Sequence, residues 1–341
     1  MTSRRRVARL VLPVLLALLC VPAALSAGAA PSTRSGRTAA AAPAGAAAST
    51  PANGKKKAKK KTPKKKAPKK AKKPAPPPGW APEPLPDPST VLFDDEFSGA
   101  AGDAPGPGWQ TQAGPSALFA DFGSEETNTS SRANSRLDGD GHLLITAVRS
   151  GSAGSYKYTS ARLITPTAYG PVMHVTARIK MPDQRGTWPI FWLMGGSTSG
   201  TDWPRKGEID IAEVQGSADP EVLYVTAHGA APKELVPGVP ATTVGSTHWK
   251  SPSLVATHAN MAAGFHNYGV DITADRITWT FDHKVIKVFS RSDLTGDEQW
   301  SFSYAMHVIL NLSVGGSFVG NPPDDDVFPT SMVIDYVRIT H

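Results

Sequence analysis

The chain has 341 residues, with 36 Lys+Arg against 29 Asp+Glu and a single cysteine. Nineteen of the basic residues precede position 74, whereas the first acidic residue is Glu83, so the remainder carries 36 − 19 = 17 basic residues against 29 acidic ones, a formal charge of −12. This distribution excludes a basic nucleic-acid-binding domain, which needs its positive charge on the fold itself. The lone cysteine, Cys20, excludes a disulfide framework.

Residues 1–27 are predicted to be a secretory signal peptide. A basic stretch that ends at Arg9 precedes an apolar run from Leu10 to Ala24, and small residues suited to cleavage follow it. The run of about 15 apolar residues is too short to span a bilayer. We therefore predict a secreted or extracellular protein without a membrane span, and both general and twin-arginine export stay open.

Residues 28–88 form a predicted disordered linker rich in Ala, Lys and Pro. Residues 55–73 contain thirteen lysines, and residues 74–88 are rich in proline. Such a segment has too little apolar surface to offset the entropy of ordering it, and its charges and prolines keep it extended. Two interpretations follow: the linker is a solvated spacer, or its polycation holds the exported protein to an anionic cell-wall polymer.

Residues 89–341 are predicted to be one all-β domain. Apolar and polar residues alternate with period two in residues 172–179, 277–281, 285–289 and 332–339. This alternation is typical of strands, and Gly, Pro, Asn and Asp separate the stretches. Asp282 and His283 predict a hairpin turn between two of them. A domain of about 250 residues with short strands and no long amphipathic helix is typical of a β-sandwich or jelly roll.

Three carboxylates lie within six residues of one predicted strand. Glu208 and Asp210 share a face because they are two residues apart. Strict alternation places Glu213 on the other face, but one β-bulge at Ile211-Ala212 returns it to the first. Three acids on one face repel each other, and a retaining glycosidase uses such repulsion to keep one carboxyl group protonated beside a carboxylate nucleophile. The alternatives are an acidic surface strand and a calcium site, for which this spacing wraps an ion poorly.

The segment from Gly207 to Glu213, preceded by Trp203-Pro204, resembles the active-site strand of glycoside hydrolase family 16 in its bulged, laminarinase-like form. Further segments resemble the family in the same order along the chain, namely residues 91–97, 134, 137–147, 158–162, 177–182, 186–193, 226–229, 265–268, 310–316 and 335–338. The resemblance implies a concanavalin A-like jelly-roll sandwich with an open cleft on its concave sheet. It also implies a secreted, endo-acting, retaining β-glucanase that prefers β-1,3 linkages.

The resemblance carries residue roles with it. It implies that Glu208 is the nucleophile, Asp210 its helper and Glu213 the acid/base. Four residues are expected to bind substrate, Asn134, Trp188, Trp203 and His228, and for His228 the resemblance favours a place in the cleft. The aromatic faces of Trp188 and Trp203 match the apolar faces of sugar rings, and the alternative for each is a packing role in the core. No cofactor is expected for catalysis, but Glu96 and Asp335 resemble the pair that holds a structural calcium in some relatives.

Two departures from the family pattern lie where cleft walls are expected. Phe318 stands where many relatives have tryptophan, and residues 233–263 differ from the common laminarinase loop. The substrate therefore has alternatives: a galactan in place of a β-glucan, or a glucan that is bound without being cleaved. A polysaccharide is the expected partner of a domain that we expect to be monomeric.

Overall fold

The computed structural model describes residues 85–115, 123–196, 203–216, 221–231, 247–251 and 253–341. The predicted signal peptide and the linker as far as residue 84 lie outside the described residues. A short 3-10 helix, Pro88–Thr90, precedes the first strand. Within the described ranges, no helix is long and apolar enough to cross a membrane.

Almost all regular structure in the described residues is β-strand. We number the strands in chain order: β1 Val91–Asp95, β2 Gln110–Thr111, β3 Gly114–Pro115, β4 Glu126–Asn128, β5 Ser135–Leu137, β6 Leu143–Ser150, β7 Lys157–Ser160, β8 Arg162–Ile164, β9 Met173–Lys180, β10 Thr187–Gly195, β11 Glu208–Glu213, β12 Val222–Ala231, β13 Thr247–Lys250, β14 Leu254–Ala256, β15 His266–Ile272, β16 Arg276–Phe281, β17 Lys284–Ser290, β18 Met306–Val314 and β19 Thr330–Thr340. The all-β prediction is therefore confirmed.

The strands form two sheets. Sheet A has the order β17-β16-β15-β9-β19-β6-β7-β4-β3, with β1 paired to β19 and β5 to β6. Sheet B has the order β13-β12-β11-β10-β18-β8-β2, with β14 paired to β12. The strand that carries the three acids, β11, thus lies inside sheet B, between β10 and β12, and both of its edges are hydrogen-bonded.

The hairpin of β16 and β17 forms where the sequence predicts it. Asp282 and His283 connect the two strands with φ angles of 46° and 65°. Positive φ at both central residues is the backbone of a two-residue turn whose twist matches that of the flanking strands. The Asp282 carboxylate also accepts the backbone N–H of Asn267 at 3.0 Å, which ties the turn to β15.

The main hydrophobic core lies between the sheets. Alternate residues of both sheets supply it, and β11 contributes Ile209, Ile211 and Ala212, each at most 1% exposed. A second, smaller cluster of buried residues consists of Ile164, Trp188, Ile190, Trp192, Met194 and Ile309. Sheet B is therefore apolar on both faces, and the smaller cluster lies on the face that the acids occupy.

Candidate active site

The predicted bulge in β11 is confirmed by its pairing with both neighbours. On β10, Phe191 pairs with Ala212 and Trp192 with Asp210, so Ile211 is an extra residue. On β12, the pairing steps from Thr226 opposite Asp210 directly to Tyr224 opposite Glu213. An extra residue reverses the alternation of faces for everything that follows it.

The bulge brings the three acids to one face of sheet B. Glu208 pairs with Met194 of β10, Asp210 with Trp192, and Glu213 with Ile190. These three β10 residues alternate along a regular strand, so their side chains, and those of the acids beside them, share a face. Asp210 is 3% exposed, whereas Glu208 and Glu213 are partly exposed.

Each acid has a hydrogen-bond donor of its own. Trp203 Nε1 donates to Glu208 Oε2 at 2.5 Å, and Trp188 Nε1 donates to Glu213 Oε1 at 3.1 Å. His228 Nε2 lies 3.1 Å from Asp210 Oδ2. Burial lowers the pKa of His228 and so favours the neutral imidazole, whose tautomer with a proton on Nε2 can donate to Asp210.

Three of the four predicted substrate-binding residues therefore touch the acids. Trp203 is partly exposed, which leaves ring surface at the site. Trp188 is only 5% exposed, and the Phe318 ring packs against it with centroids 4.8 Å apart. Trp188 thus offers an N–H to Glu213 but little open ring surface for a sugar.

Burial raises the pKa of all three carboxyl groups, that of Glu208 to about 8 and that of Asp210 to about 7. The charge of Asp210 raises the pKa of Glu208 further, and the hydrogen bond between the two side chains raises the pKa of Glu208 and lowers that of Asp210. The pKa of Glu213 is raised well above its ordinary value. Burial is the largest cause, and the negative charges of Asp210 and Glu208 raise the pKa further. A carboxyl group that keeps its proton near neutral pH can act as a general acid.

A buried arginine, Arg162, is a site residue that sequence reasoning missed. Its guanidinium lies 4.7 Å above the Trp192 ring, and Nε donates to Gln112 Oε1 at 2.7 Å. Burial lowers its pKa to about 10, while the negative charge of Glu208 counteracts that shift. Arg162 therefore stays cationic and partly offsets the charge of the acids.

Trp192, a member of the small apolar cluster, and Asn311 are two further residues that the sequence analysis did not assign to the site. Trp192 pairs with Asp210 across β10 and β11, and its Nε1 donates to Asn311 Oδ1 at 2.8 Å. Asn311 lies on β18, where it pairs with Ile190 of β10 on one side and with Arg162 of β8 on the other. Period-two alternation marks these residues as strand residues, but only the register between strands shows that they share the acids' face.

Asn134 does not reach this face in the structure. Its side chain is 1% exposed, its Nδ2 donates to Thr146 O and to Thr159 Oγ1, and its Oδ1 accepts from Thr129 Oγ1. All of its polar capacity is used between segments of the fold. The substrate-binding prediction for Asn134 is replaced by a structural role.

The predicted calcium pair also has other partners. Glu96 Oε1 accepts from Arg338 Nη2 at 2.7 Å, and Asp335 Oδ2 accepts from Arg178 Nη1 at 2.8 Å. A guanidinium on each carboxylate repels a cation, so these residues do not fit a calcium ion. Among the described residues, the one cluster of acids and histidine with ligand atoms within 4.8 Å of one another is Glu208, Asp210 and His228.

The chain is similar to known proteins over most of its β-domain. It is 33% identical over 232 residues to a beta-glucanase of Rhodothermus marinus, which covers 64% of this chain and 75% of the relative. It is 29% identical over 260 residues to the clotting factor G alpha subunit of Tachypleus tridentatus, which covers 73% of this chain but only 33% of that longer protein.

Solved structures agree with the sequence comparison. The crystal structure of an endo-1,3-beta-glucanase from Streptomyces sioyaensis superposes with a TM-score of 0.59 at 29% identity, over 78% of this chain and 98% of the other. The predicted jelly-roll sandwich is thereby confirmed. Residues 123–338 match the glycosyl hydrolases family 16. Because that match covers more than half of the sequence, the chain belongs to glycosyl hydrolases family 16 and is a glycoside hydrolase.

Proposed function

We propose that the protein is a secreted, endo-acting hydrolase that cleaves β-1,3-glucan with retention of anomeric configuration. The observation that carries this proposal is the placement of Glu208, Asp210 and Glu213 on one face of β11, each with its own hydrogen-bond donor. A retaining glycosidase needs one ionised and one protonated carboxyl group beside the same sugar. A domain that only binds glucan gains nothing from three acids that repel each other.

In the first step, the Glu208 carboxylate attacks the anomeric carbon while Glu213 gives its proton to the departing glycosidic oxygen. The bond to the leaving sugar breaks, and a glycosyl ester forms on Glu208. Asp210 takes up the Glu208 proton before attack and then donates it in a hydrogen bond to the ester oxygen that carries no sugar. The N–H of Trp203 stabilises the Glu208 carboxylate before attack and after release.

In the second step, a water molecule attacks the same carbon from the side that the leaving sugar vacated. Glu213, now ionised, takes the proton of that water, and the ester bond to Glu208 breaks. Two inversions give net retention, and both carboxyl groups return to their starting protonation states. The raised pKa of Glu213 suits both halves of this cycle, since the group must hold a proton at first and regain it at the end.

The substrate class is proposed from the relatives. The bacterial proteins described above are named as a beta-glucanase and an endo-1,3-beta-glucanase. Trp203, which is partly exposed beside Glu208, offers an aromatic face that suits the apolar face of a pyranose ring. A galactan remains the rival substrate, because Phe318 departs from the family pattern and packs on Trp188 beside Glu213.

The test compares purified protein on laminarin, mixed-linkage glucan and agarose. We expect hydrolysis of laminarin, with the β-anomer as the first product in a time course by nuclear magnetic resonance. Glu208→Gln should abolish hydrolysis and leave the fold intact, while Asp297→Asn, a change at an exposed acid, should leave activity unchanged. Preferential cleavage of agarose would reassign the substrate, and an α-anomer as first product would refute the retaining mechanism.

The roles of the two glutamates are separated by chemical rescue. Glu213→Ala removes the acid/base, so a substrate with a good leaving group should still form the ester on Glu208. Azide, which needs no general base, should then release a β-glycosyl azide and restore part of the rate. Glu208→Ala should give no β-azide, because it lacks the nucleophile, and the same product from both variants would contradict the assignment.

A further inference from the structure

Two donors from sheet A reach the backbone of sheet B at the bulge. Trp279 Nε1 of β16 donates to the carbonyl oxygen of Asp210 at 2.8 Å. Lys287 Nζ of β17 donates to the carbonyl oxygen of Val225 at 2.9 Å. In a regular ladder, carbonyl groups point along the sheet to the neighbouring strand. Carbonyls that accept from the opposite sheet therefore mark a backbone turned toward the core.

The two acceptor residues, Asp210 and Val225, lie next to the β11 bulge and opposite it. Asp210 is the residue directly before the extra residue Ile211. Val225 lies between the β12 residues Thr226 and Tyr224, so it is the single residue opposite the two residues of the bulge. Trp279 thus holds β11 at the point where the ladder is disrupted. Lys287 holds β12 opposite the bulge, on the side of β12 where Val225 N–H donates to Ser253 O at 2.9 Å.

The two donor side chains, Trp279 and Lys287, also contact each other. Trp279 and Lys287 are directly paired between β16 and β17, and the Lys287 ammonium lies 4.8 Å from the centre of the Trp279 ring. Trp279 is fully buried, and Lys287 Nζ also donates to Ser251 Oγ at 2.8 Å. Packing on all sides leaves the indole one orientation, which directs its N–H at Asp210 O.

We propose that Trp279, with Lys287 stacked on it, is a positioning residue that holds the β11 bulge and thereby sets Glu213 in reach of the sugar attacked by Glu208. The inference rests on the proposed function of these two glutamates. Neither Trp279 nor Lys287 touches the substrate face. Trp279 acts through the backbone, because the bulge alone brings Glu213 to that face and a slip of one residue turns it into the core. Lys287 also acts through its charge, which lowers the pKa of Asp210.

The first test is Trp279→Phe, which keeps an aromatic ring but removes the N–H. We expect kcat on laminarin to fall about ten- to a hundredfold with KM nearly unchanged, since a misplacement on the order of 1 Å at the reacting groups costs rate rather than binding. The matched control is Trp109→Phe. Trp109 is also buried and donates through Nε1 to Asp95 Oδ2 at 2.9 Å, so its loss lowers the melting temperature without touching β11.

A second variant covers the case in which the smaller phenylalanine ring prevents folding. Incorporation of 3-benzothienylalanine at position 279 keeps both fused rings and replaces the N–H with sulfur. The same fall in kcat is expected. Lys287→Met would remove the charge that lowers the pKa of Asp210 together with the second donor, so the test of the bulge uses the two Trp279 variants.

Hydrogen exchange gives a readout that does not depend on activity. Amides of residues 208–214 should exchange faster in the Trp279 variants than in the wild type, and should be unchanged in Trp109→Phe. A wild-type protein that cleaves none of the polysaccharides, with exchange altered as expected, would overturn the proposed function but keep the bulge assignment. Wild-type kcat and unchanged exchange in the benzothienyl variant would overturn the bulge assignment and leave the proposed function standing.

Discussion

At the scale of single residues, the site contains three carboxyl groups whose surroundings disfavour their ionised form. Asp210 is 3% exposed, and burial together with mutual repulsion raises the pKa of Glu208 and of Glu213. Such groups lower the free energy of unfolding when they are ionised. Active sites commonly keep such destabilising groups because catalysis needs a carboxyl group that retains its proton. The consequence can be measured as a dependence of stability on pH.

Glu213→Gln should stabilise the domain increasingly as the pH rises. In the unfolded chain Glu213 has its ordinary pKa of about 4.3, whereas burial in the folded domain raises it well above that. Between the two values the unfolded chain has lost a proton that the folded domain keeps, so the free energy of unfolding falls with rising pH. Calorimetry from pH 4 to pH 8 should show a growing advantage in melting temperature for the variant, and no such trend for Asp297→Asn.

Trp203→Phe and Trp188→Phe should shift opposite limbs of the pH–rate profile. The Trp203 N–H favours ionised Glu208, so its removal raises the pKa of the nucleophile and moves the acidic limb of kcat/KM to higher pH. The Trp188 N–H favours ionised Glu213, so its removal raises the pKa of the acid and moves the alkaline limb to higher pH. Profiles on a soluble oligosaccharide measure both, and a shift of the same limb in both variants would contradict the assigned partners.

At the scale of elements, both ends of β11 are close-packed against neighbouring backbone. Gly195, at the end of β10, has no room for a side chain because a methyl group there would overlap the carbonyl oxygen of Lys206. Gly216, just after β11, faces the carbonyl oxygen of Gln184 in the same way. The segment that leads from Trp203 into Glu208 is therefore held directly against β10.

Gly195→Ala should displace that segment and reduce activity. The added methyl group meets backbone rather than a flexible side chain, so residues 203–207 must move and take Trp203 with them. We expect a lower melting temperature and a fall in kcat. Gly106→Ala is the control, since its nearest neighbour, Asp95 Oδ2, lies 3.8 Å from the added carbon. Equal kcat in both variants would show that the segment does not position the site.

At the scale of the whole molecule, opposite charges are separated along the chain. Thirteen lysines lie between residues 55 and 73, while the sequence after residue 73 carries a formal charge of −12. Charges in water act over roughly 10 Å at 0.1 M ionic strength. Two interpretations follow: the lysine-rich segment is only a solvated spacer, or it holds the protein to an anionic polymer, for which the acidic remainder of the chain is unsuited.

Replacing the thirteen lysines by glutamine should weaken retention on anionic cell walls and leave hydrolysis of soluble oligosaccharides unchanged. The variant keeps the length of the linker, so it separates charge from spacing. Retention of the wild type should fall as salt is added. Equal retention of both proteins in low salt would leave the linker a plain spacer, and deletion of residues 28–84 then tests whether the spacing itself matters.

The sequence by itself determined whatever depends on neighbours along one strand. Period-two alternation placed β9, β16, β17 and β19, and the three acids within six residues required a bulge at Ile211 if they were to act together. The turn at Asp282 and His283 followed from local chemistry as well. In each case the residues that specify the feature are adjacent, so their side chains and backbone angles fix it without help from distant segments.

Only the tertiary structure decided which distant residues meet the acids. Register between strands brought Arg162 and Trp192 to the acids' face, and packing between sheets brought Trp279 to the bulge. Other long-range contacts bury Asn134 against Thr146 and pair Asp335 with Arg178, so Asp335 is not open to a calcium ion. Pairing across a sheet and packing between sheets join residues separated by tens to hundreds of positions, and the alternation within one strand carries no information about which strand lies beside it.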